Sequence, residues 1–181
     1  RRQRQMCIRD RSFIKDHSKE PFFLYFAHTF PHIPLYTNAR FEGTSKRGLY
    51  GDVVEEIDWS VGEVLKALRE NGLDENTFVI FTSDNGPHHE GGADPDFFKS
   101  YGPFRGIKRD VYEGGIRIPM VAWCPGTIKA GAQSDHISAF WDVMPTLAEL
   151  TGTVLPEKTD GISFLPTLLS KKDQQAHDYL Y

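Results

Sequence analysis

Asp84 and Asn85 are adjacent oxygen donors within Ser83-Asp84-Asn85-Gly86, a run that follows the apolar stretch Thr77-Phe78-Val79-Ile80-Phe81-Thr82. A carboxylate beside a carboxamide suits a hard cation such as Ca²⁺, whereas a histidine in the second position would suit zinc. Ser, Asp, Asn and Gly are also turn formers, so a plain strand-end turn is the competing reading. The apolar stretch is β-branched and aromatic without polar alternation, which predicts a strand buried on both faces. Ligands of open α/β sheets bind beyond the carboxyl ends of such strands, where Asp84 and Asn85 fall.

Two further segments carry chemistry. Pro21-Phe22-Phe23-Leu24-Tyr25-Phe26-Ala27 predicts a second buried strand and leads into His28-Thr29-Phe30-Pro31-His32-Ile33-Pro34. An imidazole at His32 can donate a proton near neutral pH; the alternative is a turn residue set between two prolines. His28 is read as structural. Downstream, Pro103-Phe104-Arg105-Gly106-Ile107-Lys108 precedes Tyr112-Glu113-Gly114-Gly115-Ile116-Arg117-Ile118-Pro119 and a third apolar run, Met120 to Trp123. Lys108 offers a compact ammonium to an anionic oxygen, against the background of abundant surface lysines. His88 and His89 follow Pro87, so one could line a pocket mouth or both could be loop residues. Glu113 and Arg117 are expected to brace each other, with Gly114 and Gly115 supplying room and backbone freedom.

These segments, in this order, closely resemble the arylsulfatase family of type I sulfatases in the alkaline-phosphatase-like superfamily, from about Pro21 to Tyr181. The resemblance implies an α/β fold with a mixed, mainly parallel sheet flanked by helices, and hydrolysis of organic sulfate monoesters. It implies that Asp84 and Asn85 are calcium ligands, that His32 contacts a sulfate oxygen or protonates the leaving group, and that Lys108 binds the sulfate and the leaving oxygen. His88 is a further candidate for substrate binding. The family's nucleophile is a formylglycine made from the Cys of Cys-x-Pro-x-Arg, or from a Ser in some members, by a formylglycine-generating or equivalent maturation enzyme. No such motif occurs here, because Cys124 is followed by Pro125-Gly126. The nucleophile and the first metal-ligand pair are therefore expected upstream of this sequence, and truncation is expected at both ends. The resemblance also implies a periplasmic or secreted location. Two rival readings stay open: a phosphoester or phosphonate hydrolase of the same superfamily, and a non-catalytic binding module that keeps the fold.

Arg1 to Arg11 reads differently. It back-translates to codons matching a transposase-based sequencing adapter, so residues 1–11 are expected to be a translated artefact without fixed structure, and 12–181 to be the partial catalytic domain. A basic nucleic-acid-binding arm is the alternative. The stretch holds five basic residues and one acid; setting it aside takes the count from 21 basic and 25 acidic to 16 and 24, and the net charge from −4 to −8. An acidic body argues against a phosphate-backbone footprint for nucleic acid. Cys124 is then the remaining cysteine and is expected as a packed thiol. No run of about 18 apolar residues could span a membrane.

The elements that must position these groups follow from periodicity. Val54, Ile57, Val61, Val64, Leu65 and Leu68 predict a helix from about Tyr50 to Asn71, stopped by Gly72. Residues 87–106 predict a long functional loop. Asp142 to Leu150 predicts a second helix, with Asp142 as N-cap and Gly152 as its stop. Trp59, Trp123 and Trp141 are expected in the core or at its edges. Tyr179-Leu180-Tyr181 reads as the start of a strand.

Overall fold

The computed structural model describes residues 2–155 and 158–180, with residues 2–7 as backbone only. Its elements in chain order are α1 (Arg2–Asp16), α2 (Gly48–Glu70), β1 (Val79–Thr82), α3 (Pro95–Phe98), α4 (Glu113–Ile116), β2 (Met120–Trp123), α5 (Val143–Thr151) and α6 (Leu165–Leu168). Single 3₁₀ turns at Asp74–Asn76 and Phe140–Asp142 precede β1 and α5. Among the described residues the sheet has two strands, β1 beside β2, which makes the chain an α/β piece. Contacts divide it into two compact units, one running to Val121 and the other beginning at Ala122.

In the first unit α1 lies along α2. Residues 2–11 are helical, not unstructured as the codon match suggests: Arg, Gln and Met are good helix formers and no Gly or Pro interrupts them. Arg11 of this segment forms an ion pair with Glu63 of α2, and Ile14, one turn on, is fully buried. The side chains of residues 1–7, including Cys7, lie outside the described residues.

Helix α2 starts two residues earlier than its apolar spacing predicts, and Gly72 takes the left-handed conformation (φ +67°) that stops it. Its buried line follows the predicted one at Leu68 and departs from it toward the N-terminus. Val53, Ala67 and Leu68 are inside with Asp52, Glu56 and Ser60, while Val54 is 43 % exposed. The two acids turn inward because they collect donors from the preceding loop. Glu56 Oε2 accepts the Thr37 hydroxyl at 2.6 Å and the Asn38 N–H at 3.0 Å; Asp52 accepts the Gly43 and Ser45 N–H groups at 2.9 and 2.8 Å. A hydrogen bond to a charged group contributes about 1.5–3 kcal/mol, so this lacing outweighs the exposure of one valine.

Residues 21–29 belong to no strand. Exposure alternates residue by residue, with Phe23 68 % and Tyr25 79 % exposed. That is the signature of an extended segment whose period-2 pattern lacks a ladder partner. Phe81 of β1 is likewise 43 % exposed, so the burial on both faces predicted for Thr77–Thr82 and for Pro21–Ala27 does not hold within a two-stranded sheet.

The second unit closes around Asp142, which is 0 % exposed. Asp142 stands at the N-cap position of α5 as predicted, but its carboxylate makes no capping bond to that helix. It accepts the N–H groups of Ala139 (2.7 Å) and Ile162 (2.8 Å), together with Nε2–H of His177 at 2.8 Å. Three donors around one buried carboxylate pin the 162 and 177 segments to the start of α5. Gly152 ends α5 at φ +67° as predicted. Cys124 is buried and Trp141 is 44 % exposed. Tyr179 and Leu180 are in no strand, and Tyr181 lies outside the described residues.

Candidate active site

Backbone contacts between glycines set the site's frame. The Gly86 N–H donates to Gly115 O at 2.9 Å, Lys108 N–H to Pro87 O at 2.7 Å, and Gly114 N–H to Arg105 O at 2.8 Å. A Cβ on Gly86 would stand 2.0 Å from Gly114 O, and one on Gly114 would stand 2.1 Å from Gly106 O. The loops that follow β1 and precede β2 can therefore touch only because both are glycine at the contact. Glu113 and Arg117 brace this corner as predicted, at 2.7 Å, and the Arg117 guanidinium lies over the Phe104 ring at 4.6 Å.

This frame brings the loop carrying His88 to Lys108, and the 31–35 segment joins them. The His32 and His88 rings are 6.0 Å apart between centroids, and Gly91 packs where its Cβ would meet Ile33 Cγ2 at 2.3 Å. His32 Nδ1–H donates to the Ile33 carbonyl at 2.7 Å, which leaves Nε2 for external chemistry. Partial burial holds the His88 pKa below the ordinary imidazole range, and the charges of Lys108, His32 and Arg109 push the same way against Glu90. His88 Nδ1 is buried without a hydrogen-bond partner in the protein. The arrangement is a cationic opening with one imidazole nitrogen available at His32 and a second imidazole biased toward neutrality.

Glu90 and Arg109 complete the opening and were not singled out by sequence reasoning. Arg109 Nη1 and Glu90 Oε1 are 2.6 Å apart, and the guanidinium holds the Glu90 carboxyl below the usual carboxylate range, by hydrogen bonding first and charge second. Arg109 has φ +82°, a left-handed backbone unusual outside glycine. The sequence signal was an acid next to His89 and a base next to Lys108, but nineteen residues part them and no periodicity connects them.

Asp84 and Asn85 sit at the end of β1, with Asp84 exposed and Asn85 half-buried. Asn85 Nδ2 lies 3.0 Å from Asp84 Oδ1, so the two side chains meet. Turning the Asn85 amide by half a rotation would present its oxygen beside the carboxylate. That donor set of hard oxygens fits Ca²⁺, which needs four or more further ligands. Backbone alone joins this pair to the cationic opening, through Gly86 and Pro87. A second group, His89, Asp94 and Asp96, has ligand atoms within 4.8 Å of one another, all exposed. Both of its carboxylates already have donors: Asp94 caps α3 through the N–H groups of Asp96 and Phe97, and Asp96 accepts the Tyr101 hydroxyl at 2.6 Å.

Residues 9–153 match the family model described as sulfatase. The chain is 39 % identical over 177 residues to human arylsulfatase D, which covers 94 % of the chain and 29 % of that protein. It is 44 % identical over 158 residues to mouse N-acetylgalactosamine-6-sulfatase, covering 83 % and 29 %. The chain thus spans under a third of the length of these curated relatives. Among solved structures, a Pseudoalteromonas sulfatase superposes with a TM-score of 0.84 at 32 % identity, over 97 % of this chain and 36 % of its own. A carbohydrate complex with a neocarrahexaose gives 0.81 at 30 %, over 92 % and 38 %. A phosphonate monoester hydrolase of Agrobacterium radiobacter gives 0.56 at 26 %, over 73 % and 24 %. The fold is that of alkaline-phosphatase-like sulfatases.

Proposed function

The chain belongs to the sulfatase family, and on that premise we propose that the complete protein hydrolyses organic sulfate monoesters, with residues 12–181 forming part of its catalytic domain. The observation that supports this reading is the proximity of the three segments: the His32 and His88 rings are 6.0 Å apart, and the Lys108 N–H is bonded to the carbonyl of Pro87, next to His88.

Each residue has a task set by its chemistry. Lys108 would hold the sulfuryl oxygens and the bridging oxygen as negative charge grows on the leaving group. With Nδ1–H committed to the Ile33 carbonyl, a protonated His32 has Nε2–H to give to the departing alkoxide. His88, biased toward the neutral form, can hydrogen-bond an ester without adding repulsion beside Lys108. Asp84 and Asn85 would hold Ca²⁺, which when bound supplies a fixed positive charge for the anionic ester.

The reading carries three dependent proposals: a nucleophile formed on formylglycine elsewhere in the complete protein, a maturation enzyme that makes it, and a periplasmic or secreted location. No helix among the described residues is long and apolar enough to cross a membrane. The decisive test is product analysis with the complete protein on matched aryl sulfate, phosphate and phosphonate esters. Sulfate release at the highest kcat/KM supports the sulfatase reading. Preference for the phosphonate would favour the related hydrolase, and binding without turnover of any ester would favour a non-catalytic module.

A further inference from the structure

We propose that Arg109 is a specificity-determining residue that binds a second anionic group, a carboxylate or another sulfate, on a sulfated glycan whose scissile ester is held at Lys108. This rests on the sulfatase reading above and extends it to the class of substrate.

Energetics separates this role from a mere brace. A non-glycine residue in the positive-φ region is strained, and Arg109 stands at φ +82°. Solvent screens an exposed ion pair so that it contributes little, and the Arg109–Glu90 pair is exposed, with 71 % and 41 % of the two side chains accessible. The pair does not repay the backbone. The turn is instead fixed by Asp110, whose Oδ2 accepts the Ile107 N–H at 2.9 Å and whose own N–H donates to Ile107 O at 2.9 Å. In that turn residue 109 takes the left-handed backbone that a type II turn places at its third position, and an arginine stands there.

What the arginine gains is a held but unspent fork. Its contact with Glu90 runs through Nη1, and a guanidinium carries five N–H donors in a plane suited to carboxylate and sulfate oxygens. Glu90 therefore orients the group and leaves donors for a ligand. Arg109 adjoins Lys108 in the chain, and its charge reaches His88 together with those of Lys108 and His32. Glu90 offsets one of the two cations but engages one guanidinium nitrogen, so donors of Arg109 remain beside Lys108. A glycan with a second negative group matches those remaining donors. The sulfated-sugar names and carbohydrate ligand among the relatives agree in chemical class.

The test compares the complete wild-type protein with Arg109→Gln, Arg109→Lys and Glu90→Gln on three sulfated disaccharides: one neutral apart from the scissile ester, one bearing a uronate, and one bearing a second sulfate. Wild type should prefer at least one dianionic substrate. Arg109→Gln should cut that preference, as the ratio of kcat/KM values, by roughly tenfold, the scale of one lost charge-assisted hydrogen bond. Arg109→Lys should retain part of it, Glu90→Gln should lie between, and whichever dianionic arm loses most identifies the anion. Equal losses on all three substrates, or no preference in wild type, overturn the proposal. If no sulfate is released by wild type, the reading beneath has failed. Calorimetry with the same disaccharides still decides Arg109: an affinity gap that closes in Arg109→Gln supports its role, and a gap that stays open overturns it.

Discussion

The His32 ring lies 6.0 Å from that of His88 with the planes inclined at 52°, and the two arrive on different segments, each held by a glycine contact. His32 comes from the turn after residues 21–29, held where Ile33 packs on Gly91. His88 comes from the loop after β1, held by Pro87 O on the Lys108 N–H and by Gly86 on Gly115. The distance between the imidazoles is therefore a property of backbone seams, and the seams are where substitution should be felt first.

Gly86→Ala and Gly114→Ala should each lower stability by roughly 1–3 kcal/mol, the usual cost of forcing extra atoms into close packing. The new methyl would meet a backbone oxygen at 2.0 or 2.1 Å, which has no side-chain freedom with which to yield. Gly62→Ala is the contrast: it lies inside α2 with nothing within 4 Å of the place its new methyl would take, so it should gain about 0.4–1 kcal/mol. Thermal melting of the three variants checks this, at about 2–4 °C per kcal/mol for a chain of this size. A Gly86→Ala variant that melts with wild type would show that the seam is looser than its geometry.

His28 gives the protein an acid-sensitive point. Its pKa is lowered from the ordinary 6.5, by burial first, with Glu56 pulling the other way. Its Nδ1 accepts the Phe30 N–H at 3.2 Å, and its ring packs near Phe26 and Phe30 at 5.4 and 5.7 Å. A depressed folded-state pKa means that the unfolded chain binds the proton more readily. The contribution of His28 is therefore complete above about pH 6.5 and is lost as pH falls toward and through its folded value. Melting temperature measured against pH should fall less steeply in His28→Phe than in wild type across this window. Parallel curves would remove His28 as the source.

The sequence made some of this legible and hid the rest for physical reasons. Gly72 and Gly152 mark helix ends because a left-handed cap is a local need, met at φ +67° in both. The run Met120 to Trp123 matches β2 residue for residue, and the Glu113–Arg117 brace follows from one helical turn. Pairing partners are a different matter. Phe22 to Ala27 has strand composition as a continuous apolar run, but a strand needs a neighbour that composition does not supply. Asp142 looked like a helix cap because its position relative to α5 was right; its partners Ile162 and His177 are distant in sequence. Among candidate site residues, Asp84, Asn85, His32 and Lys108 are singled out by their motifs, whereas Glu90 and Arg109 emerge from a loop-to-loop contact.

Metal binding should separate the two oxygen donors at the end of β1. In the complete protein, Asp84→Ala should abolish Ca²⁺ binding at this site and Asn85→Ala should weaken it, because losing a charged ligand removes more attraction than losing a neutral one. Asn85→Asp should retain the ion. Calcium stoichiometry by elemental analysis and affinity by titration calorimetry give the answer. Full retention by Asp84→Ala would move the ion elsewhere, and retention in Asp84→Ala lost on adding Asp94→Ala would assign it to the exposed group of His89, Asp94 and Asp96.

His32 and Lys108 should fail in different ways, because one moves a proton and the other holds charge. Lys108→Ala removes a cation from the developing anion and should lower kcat/KM by on the order of 10²-fold or more, the scale of one electrostatic stabiliser. Its effect should extend across leaving groups, since the sulfuryl oxygens are common to all of them. His32→Ala removes a proton donor whose Nδ1 is already fixed on the Ile33 carbonyl, and the penalty depends on how much the departing oxygen needs that proton. Nitrophenyl sulfate leaves as a stable anion and should be little affected, whereas an alkyl or sugar sulfate should slow strongly. Plotting log kcat/KM against leaving-group pKa for wild type and both variants therefore yields a steeper negative slope for His32→Ala and a displaced line for Lys108→Ala. A His32→Ala line parallel to wild type would confine that residue to sulfate binding, and a Lys108→Ala line superposed on wild type would take the charge-holding role from Lys108.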